Sequence, residues 1–244
     1  MARIRPLLLA VVVALGVLVV PGTASGADGP PPTTAQVWVV HGVPGVTVDV
    51  CVDGTVVIED LEYLDAAGPL TVPVATYELA LTTSTCDSEI YLTEVDTTEP
   101  YYALVATLDP SSNLDVLAFG VFGNCTPAGN GQFQALHAAG PTGPVTVTVD
   151  GTPADTDLGY GEYANVDGPV RTFALSVTRN AGGASLLSGP VTLIEGVNLV
   201  SVIVPGVGGD PDVVAAVAFP VAVGVCTPPT PEPDPEPPAP RFTG

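Results

Sequence analysis

One passage of this chain is written twice, and a repeat of that size constrains the architecture more than any single motif does. QVWVVHGVPGVTVDVCVDGT, from Gln36 to Thr55, returns as QFQALHAAGPTGPVTVTVDGT from Gln132 to Thr152. His41 falls on His137, and the VDGT beginning at Val52 falls on the one beginning at Val149. A leucine and a tyrosine follow in step, Leu61 and Tyr63 and then Leu158 and Tyr160. Both copies close alike, with Ala118, Phe119 and Val121 matching Ala218, Phe219 and Val221, and Cys-Thr-Pro following at Cys125 and at Cys226. The chain therefore reads as two modules of ordinary small-domain size, 35–123 and 132–225, joined by a short linker over 124–131. Each copy carries its own strand set and is expected to fold alone.

The local pattern is that of β-structure. Val48, Val50 and Val52 alternate with Asp49, Cys51 and Asp53, which makes one face apolar and the other polar, and Asp53-Gly54 is a hairpin turn signal. Further strands are expected over 70–74, 76–82, 89–94, 101–108 and 114–121, and in the second copy over 145–149, 170–178, 191–194, 197–204 and 213–221. Short strands broken so often by glycine and proline turns point to a sandwich. DVVAAVAF taken alone would pass for a helix, but its alignment with LDVLAFGV, which sets Pro220 on Gly120, makes it an edge strand.

The two ends read differently. Arg3 and Arg5, an unbroken apolar run from Leu7 to Val20, and small residues ending at Ala27 form the three-part pattern of an export signal, 1–27. The run is shorter than the roughly 20 residues of a membrane span, so cleavage is expected and no membrane span after it. A short Pro-rich segment, 28–34, precedes the first copy, and PPTPEPDPEPPAP within 226–244 reads as an acidic, extended tail.

Charge excludes one large class of function. With 26 acids against 5 arginines and no lysine, the chain cannot neutralise a phosphate backbone, so nucleic acid is not a partner. The 46% apolar content separately argues against a disordered acidic chain. Such acidity keeps an exported protein soluble. The missing lysine also removes any lysine-to-asparagine isopeptide crosslink.

A Val-rich strand ending in His, a Pro/Gly loop, VxVxVDG, and a PxxTY segment at Pro73 to Tyr77 together resemble the domain of unknown function numbered 4397. In the second copy Pro169 to Leu175, PVRTFAL, departs from the PxxTY pattern. The resemblance implies tandem immunoglobulin-like β-sandwich domains in a secreted bacterial protein, and it brings no activity with it.

The catalytic inventory is short. The only histidines, His41 and His137, stand at a strand end beside a Pro/Gly loop, and no serine or cysteine lies in an activating motif such as GxSxG. They read as loop-pinning residues, with a ligand role as the alternative. A glycosidase pair would need two acids across a cleft and usually aromatic platforms, yet Trp38 is the only tryptophan and Gln134 takes its place in the second copy. Asp150, Asp155 and Asp157, and again Asp210 and Asp212, bring acids together without EF-hand spacing, and they read as solvated turns. No cofactor and no metal are expected.

Four cysteines in an exported chain should pair. Cys51 aligns with Thr148, and the TSTCDS stretch around Cys86 has no cysteine counterpart in the second copy, so these two were gained or lost together, as a bonded pair would be. Cys125 and Cys226 remain at equivalent ends and are expected to bond to each other, tying the foot of one copy to the foot of the other, with cysteines left free or bonded to other chains as the alternative. The reading that follows is a secreted or cell-surface, non-enzymatic structural or interaction module with a protein or cell-wall partner. A weak binder of calcium or cell-wall glycan is the alternative.

Overall fold

The computed structural model describes residues 33–226 apart from 184 and 209, so the expected export signal and the Pro-rich tail lie outside the described residues. The first copy forms β1 (Thr34–His41), β2 (Val48–Val52), β3 (Thr55–Leu61), β4 (Ala66–Pro73), β5 (Thr76–Thr82), β6 (Glu89–Asp96), β7 (Tyr101–Leu108) and β8 (Leu114–Gly120). The second forms β9 (Asn130–His137), β10 (Val145–Val149), β11 (Thr152–Leu158), β12 (Tyr163–Pro169), β13 (Thr172–Arg179), β14 (Ser185–Thr192), β15 (Val197–Pro205) and β16 (Val214–Ala222). A 3-10 turn, Gly140–Thr142, follows β9.

Strand order is the same in both copies. One sheet runs β4-β1-β7-β8 and its counterpart β12-β9-β15-β16; the other runs β3-β2-β5-β6 and its counterpart β11-β10-β13-β14. β1 lies parallel to β7 and β9 parallel to β15, while the neighbouring pairs are antiparallel. Two sheets facing each other in each copy give the expected sandwich. The doubled VDG explains the hairpins that follow β2 and β10. Asp53 and Gly54 have φ of 49° and 73°, and Asp150 and Gly151 have 48° and 80°. That left-handed pair is what a two-residue hairpin turn demands. The aspartate does a second job, since Asp53 Oδ1 accepts the Glu78 N–H and Asp150 Oδ1 accepts the Ala174 N–H, which anchors each turn to β5 or β13, the strand on the other side of β2 or β10.

Several strands depart from the expected ones. β3, β11 and β12 were not anticipated, because TVVIEDL, TPADTDL and YANVDGP are largely exposed and lack a clean apolar alternation. β14 starts earlier, at Ser185, and carries Gly189 and Pro190, which are tolerated because it pairs on one side only, with β13. β16 is an edge strand, as the alignment of Pro220 required.

The cores are arranged in a way the repeat alone does not announce. Along β1, Val37 and Val39 point into the first sandwich, while Trp38 and Val40 point out of it; along β7, Leu104 points in and Ala103 and Val105 point out. Those outward residues are buried all the same. They meet Leu136, Val200, Val202, Val204 and Phe219 of the second copy in one continuous apolar cluster, so the sheet led by β1 packs on the sheet led by β9. Trp38 stacks on Phe219 across this seam, with ring centroids 5.5 Å apart and planes at 14°. β1, β7, β9 and β15 are covered on both faces, and near-continuous apolar runs such as QVWVVH and ALVAT suit strands in that position.

The seam is reciprocal, as a two-fold contact between equivalent surfaces would be. Tyr63 donates its hydroxyl to Pro205 O at 2.6 Å, and its counterpart Tyr160 donates to Asp115 Oδ2 at 2.8 Å. Gln134, which replaces Trp38 in the second copy, donates to Gly120 O and accepts from Phe122 N–H and Asn198 Nδ2. Thr107 donates to Ala138 O. Gly42 and Gly140 allow close approach: a Cβ at Gly42 would lie 2.5 Å from a Val204 methyl, and one at Gly140 would lie 2.4 Å from the Asp109 carbonyl carbon.

This arrangement changes what an isolated copy is expected to do. Cut at the linker, each half would expose a patch that includes Trp38 and Phe119, or Val200 and Phe219, and patches of that kind drive association. Fragments 33–123 and 130–226, expressed separately, should sediment as concentration-dependent oligomers and reassociate on mixing. Trp38 fluorescence should shift to the blue as the seam re-forms. Two well-dispersed monomeric fragments that ignore one another would show that the seam contributes little.

Candidate functional site

The residues with the most chemistry in this sequence are the two histidines, and the fold treats them identically. Both close the inner strand of their copy, and both are fully buried. The strand end is fixed by paired backbone bonds: His41 N–H donates to Asp65 O and Leu64 N–H to His41 O, while His137 N–H donates to Glu162 O and Gly161 N–H to His137 O. His41 Nε2 lies 2.8 Å from Val46 O and His137 Nε2 lies 2.9 Å from Gly143 O. A carbonyl oxygen can only accept, so in each ring Nε2 carries the proton. Each ring therefore clamps the Pro/Gly loop that leads into the next strand. His137 Nδ1 accepts a long bond from Ala139 N–H, and His41 Nδ1 has no partner among the described residues.

Burial pushes both imidazoles below the ordinary histidine range, against a smaller upward pull from the bonded carbonyl and from the Asp65 or Glu162 carboxylate. The consequence for stability has a definite sign. Between the lowered pKa of the fold and about 6.5, the unfolded chain binds protons that the fold refuses. Stability from this source is complete above about pH 6.5 and is lost as pH falls through that window, by at most about 1.4 kcal/mol per pH unit for each histidine. The melting temperature should accordingly drop from pH 7.5 toward lower pH. In a His41→Gln/His137→Gln variant that slope should flatten, which calorimetry at several pH values will read.

The carboxylates of the two acidic clusters are held in turns and ion pairs. Asp155 Oδ1 accepts the Asp157 N–H, Asn180 Nδ2 donates to Asp157 Oδ1, and Asp210 Oδ1 accepts the Asp212 N–H. Arg171 pairs with Asp150 and Arg179 with Asp212. Among the described residues no group of three His, Cys, Asp or Glu side chains gathers round one point. Asp109 is held below the usual carboxylate range by N–H donors from Asn113 and Ser111, and Asp150 by Ala174 N–H and Arg171. Asp115 went unremarked in the sequence, yet it accepts from Tyr91 at 3.0 Å and from Tyr160 at 2.8 Å, joining the two copies through one carboxylate. Nothing local in LDVLAFG signals that role, because both partners are remote in sequence. Desolvation and the Asp115 carboxylate raise the pKa of both phenols, so they stay protonated as donors.

Both expected disulfides are present. Cys51 joins Cys86 within the first copy, and Cys125 joins Cys226 between the ends of the two copies. The second is reinforced by backbone bonds, from Thr126 N–H to Gly224 O at 3.0 Å and from Cys226 N–H to Thr126 O at 2.8 Å. It closes a loop of 101 residues, for which chain entropy alone predicts about 4–5 kcal/mol of stabilisation. A Cys125→Ser/Cys226→Ser variant should unfold at correspondingly lower denaturant concentration, read by urea titration.

The chain is similar to one family of known proteins. The family model described as Domain of unknown function (DUF4397) matches residues 35–148, which span the first sandwich, the linker, β9 and most of β10. No curated protein matches the chain.

Proposed function

We propose that this is a secreted or cell-surface module with a structural or interaction role, built from two copies of the DUF4397 domain and without enzymatic activity. One observation supports this above the rest: the paired histidines, VDG aspartates, tyrosines and Cys-Thr-Pro cysteines of the two copies are used to hold the fold. The two histidines clamp loops, the two VDG aspartates anchor hairpins, Tyr63 and Tyr160 cross the seam, and Cys125 and Cys226 join the copies. A catalyst needs a base or nucleophile left free to meet a substrate. Assignment of the second copy to the same domain rests on its identical strand order and on its matching His and VDG positions. Two disulfides favour an oxidising compartment, and among the described residues no helix is long and apolar enough to cross a membrane.

The test is the full chain with both histidines changed to glutamine. If they serve structure, each loses a buried hydrogen bond, and the melting temperature should fall on the order of 10 °C. Capture of the protein on purified cell-wall material should stay as it was. An unchanged melting temperature together with loss of a hydrolytic or metal-dependent activity would overturn the non-enzymatic reading.

A further inference from the structure

Two buried amide oxygens, Gln132 Oε1 and Asn198 Oδ1, have no donor among the described residues, and both belong to one row of the second copy's inner sheet. Gln132 of β9 lies opposite Asn198 of β15 on one side and Asp167 of β12 on the other. All three side chains face the seam. Phe133, Ala135 and Val166 turn into the second sandwich while Leu136 and Val200 turn to the seam, and alternation along each strand puts Gln132, Asp167 and Asn198 with the latter. The matching row of the first copy is Thr71, Gln36 and Tyr101, which lacks both the carboxylate and the second amide.

The orientation of Asn198 is fixed by its neighbours. Its Nδ2 donates to Phe122 O at 3.0 Å and to Gln134 Oε1 at 3.4 Å, and Gln134 is held in turn by Phe122 N–H and Gly120 O. Turning the Asn198 amide over would set its oxygen against two other acceptors, so Oδ1 stays on the side away from them. Asn198 is 1% exposed, and bulk solvent does not reach it. A buried acceptor without a donor is costly, and a bound species that offers positive charge removes the cost. Asp167 stands exposed at the outer end of the row, and among the described residues it belongs to neither ion pair.

We propose that this row binds a calcium ion through the Asp167 carboxylate, Gln132 Oε1 and Asn198 Oδ1, with water completing the shell. Calcium accepts carboxylate and amide oxygens alike in flexible geometry, whereas magnesium demands a regular octahedron that a row of this kind does not supply. The reach is suitable. With strands about 4.8 Å apart, Asp167 and Asn198 stand roughly 10 Å apart along the row; two calcium–oxygen bonds of about 2.4 Å cover half of that and the two side chains the rest. One carboxylate and two neutral oxygens make a weak site, with Kd on the order of 1 mM. The site also depends on the seam, because Phe122, which orients Asn198, comes from the end of the first copy. It does not rest on the role proposed above.

The experiment uses the full chain labelled with ¹⁵N and titrated with calcium chloride, beside a sodium chloride series of equal ionic strength. Saturating shifts of the Gln132 and Asn198 side-chain NH2 signals and of the Asp167 backbone amide are expected with calcium and not with sodium. Absence of those shifts at about ten times the expected Kd, equal shifts in sodium chloride, or shifts seated only at other aspartates would overturn the proposal. Asp167→Asn, at an exposed position that the fold tolerates, should weaken binding roughly tenfold or more. Glu94→Gln, on the outer sheet of the first copy, should leave it unchanged. Unaltered binding in Asp167→Asn overturns the site. So does a scalar coupling across a hydrogen bond from Gln132 Nε2 to Asn198, which would show the two amides serving each other without an ion.

Discussion

The structure depends on the burial of both faces of four strands. β1, β7, β9 and β15 each give alternate side chains to their own sandwich and the rest to the seam. Two separate sandwiches would leave one face of each inner sheet against water, and that face carries Trp38, Phe119, Phe219 and a row of valines. Burial of large apolar side chains at about 1.5–3 kcal/mol each makes that exposure costly. The close approaches follow from the same contact: Gly42 sits against Val204 and Gly140 against Asp109, so the loops that the histidines clamp are also loops where the copies meet.

With the inner sheets committed to one another, only the outer sheets are free to differ. They do. The first is crosslinked through Cys51 and Cys86, and in the second the matching middle row is Thr148, Ser176 and Ser188. A duplicated chain that fixes one sheet of each copy by packing leaves the other to acquire its own surface chemistry. Tyr77 shows the same divergence at smaller scale: its hydroxyl donates to Pro73 O, whereas Phe173 at the matching place is buried against Phe133.

Much of this was legible in the residues, and the exceptions have physical causes. The repeat gave the two equivalent sandwiches, and the asymmetric placement of Cys51 and Cys86 gave both disulfides. Asp53-Gly54 gave the hairpin because only a few residues tolerate that turn. The seam was not anticipated, although QVWVVH and VNLVSVIV carry its signal, since a run buried on both faces looks like one buried in a single large core. Strands β3, β11 and β12 were hidden for the opposite reason, being edge strands with little to bury. The Thr148–Ser176–Ser188 row is not legible in the sequence because it forms only across three strands, when register aligns them.

The crosslink between Cys125 and Cys226 has a mechanical consequence. Cys125 lies where the chain leaves the first sandwich and Cys226 where it leaves the second, so the bond shortcuts the whole 101-residue span between them. Tension applied from Thr34 to a point beyond Cys226 would run through the first sandwich, cross the sulfur atoms and continue, bypassing β9 to β16. The second sandwich then lies off the covalent line of force and shares the load only through the seam that packs it on the first.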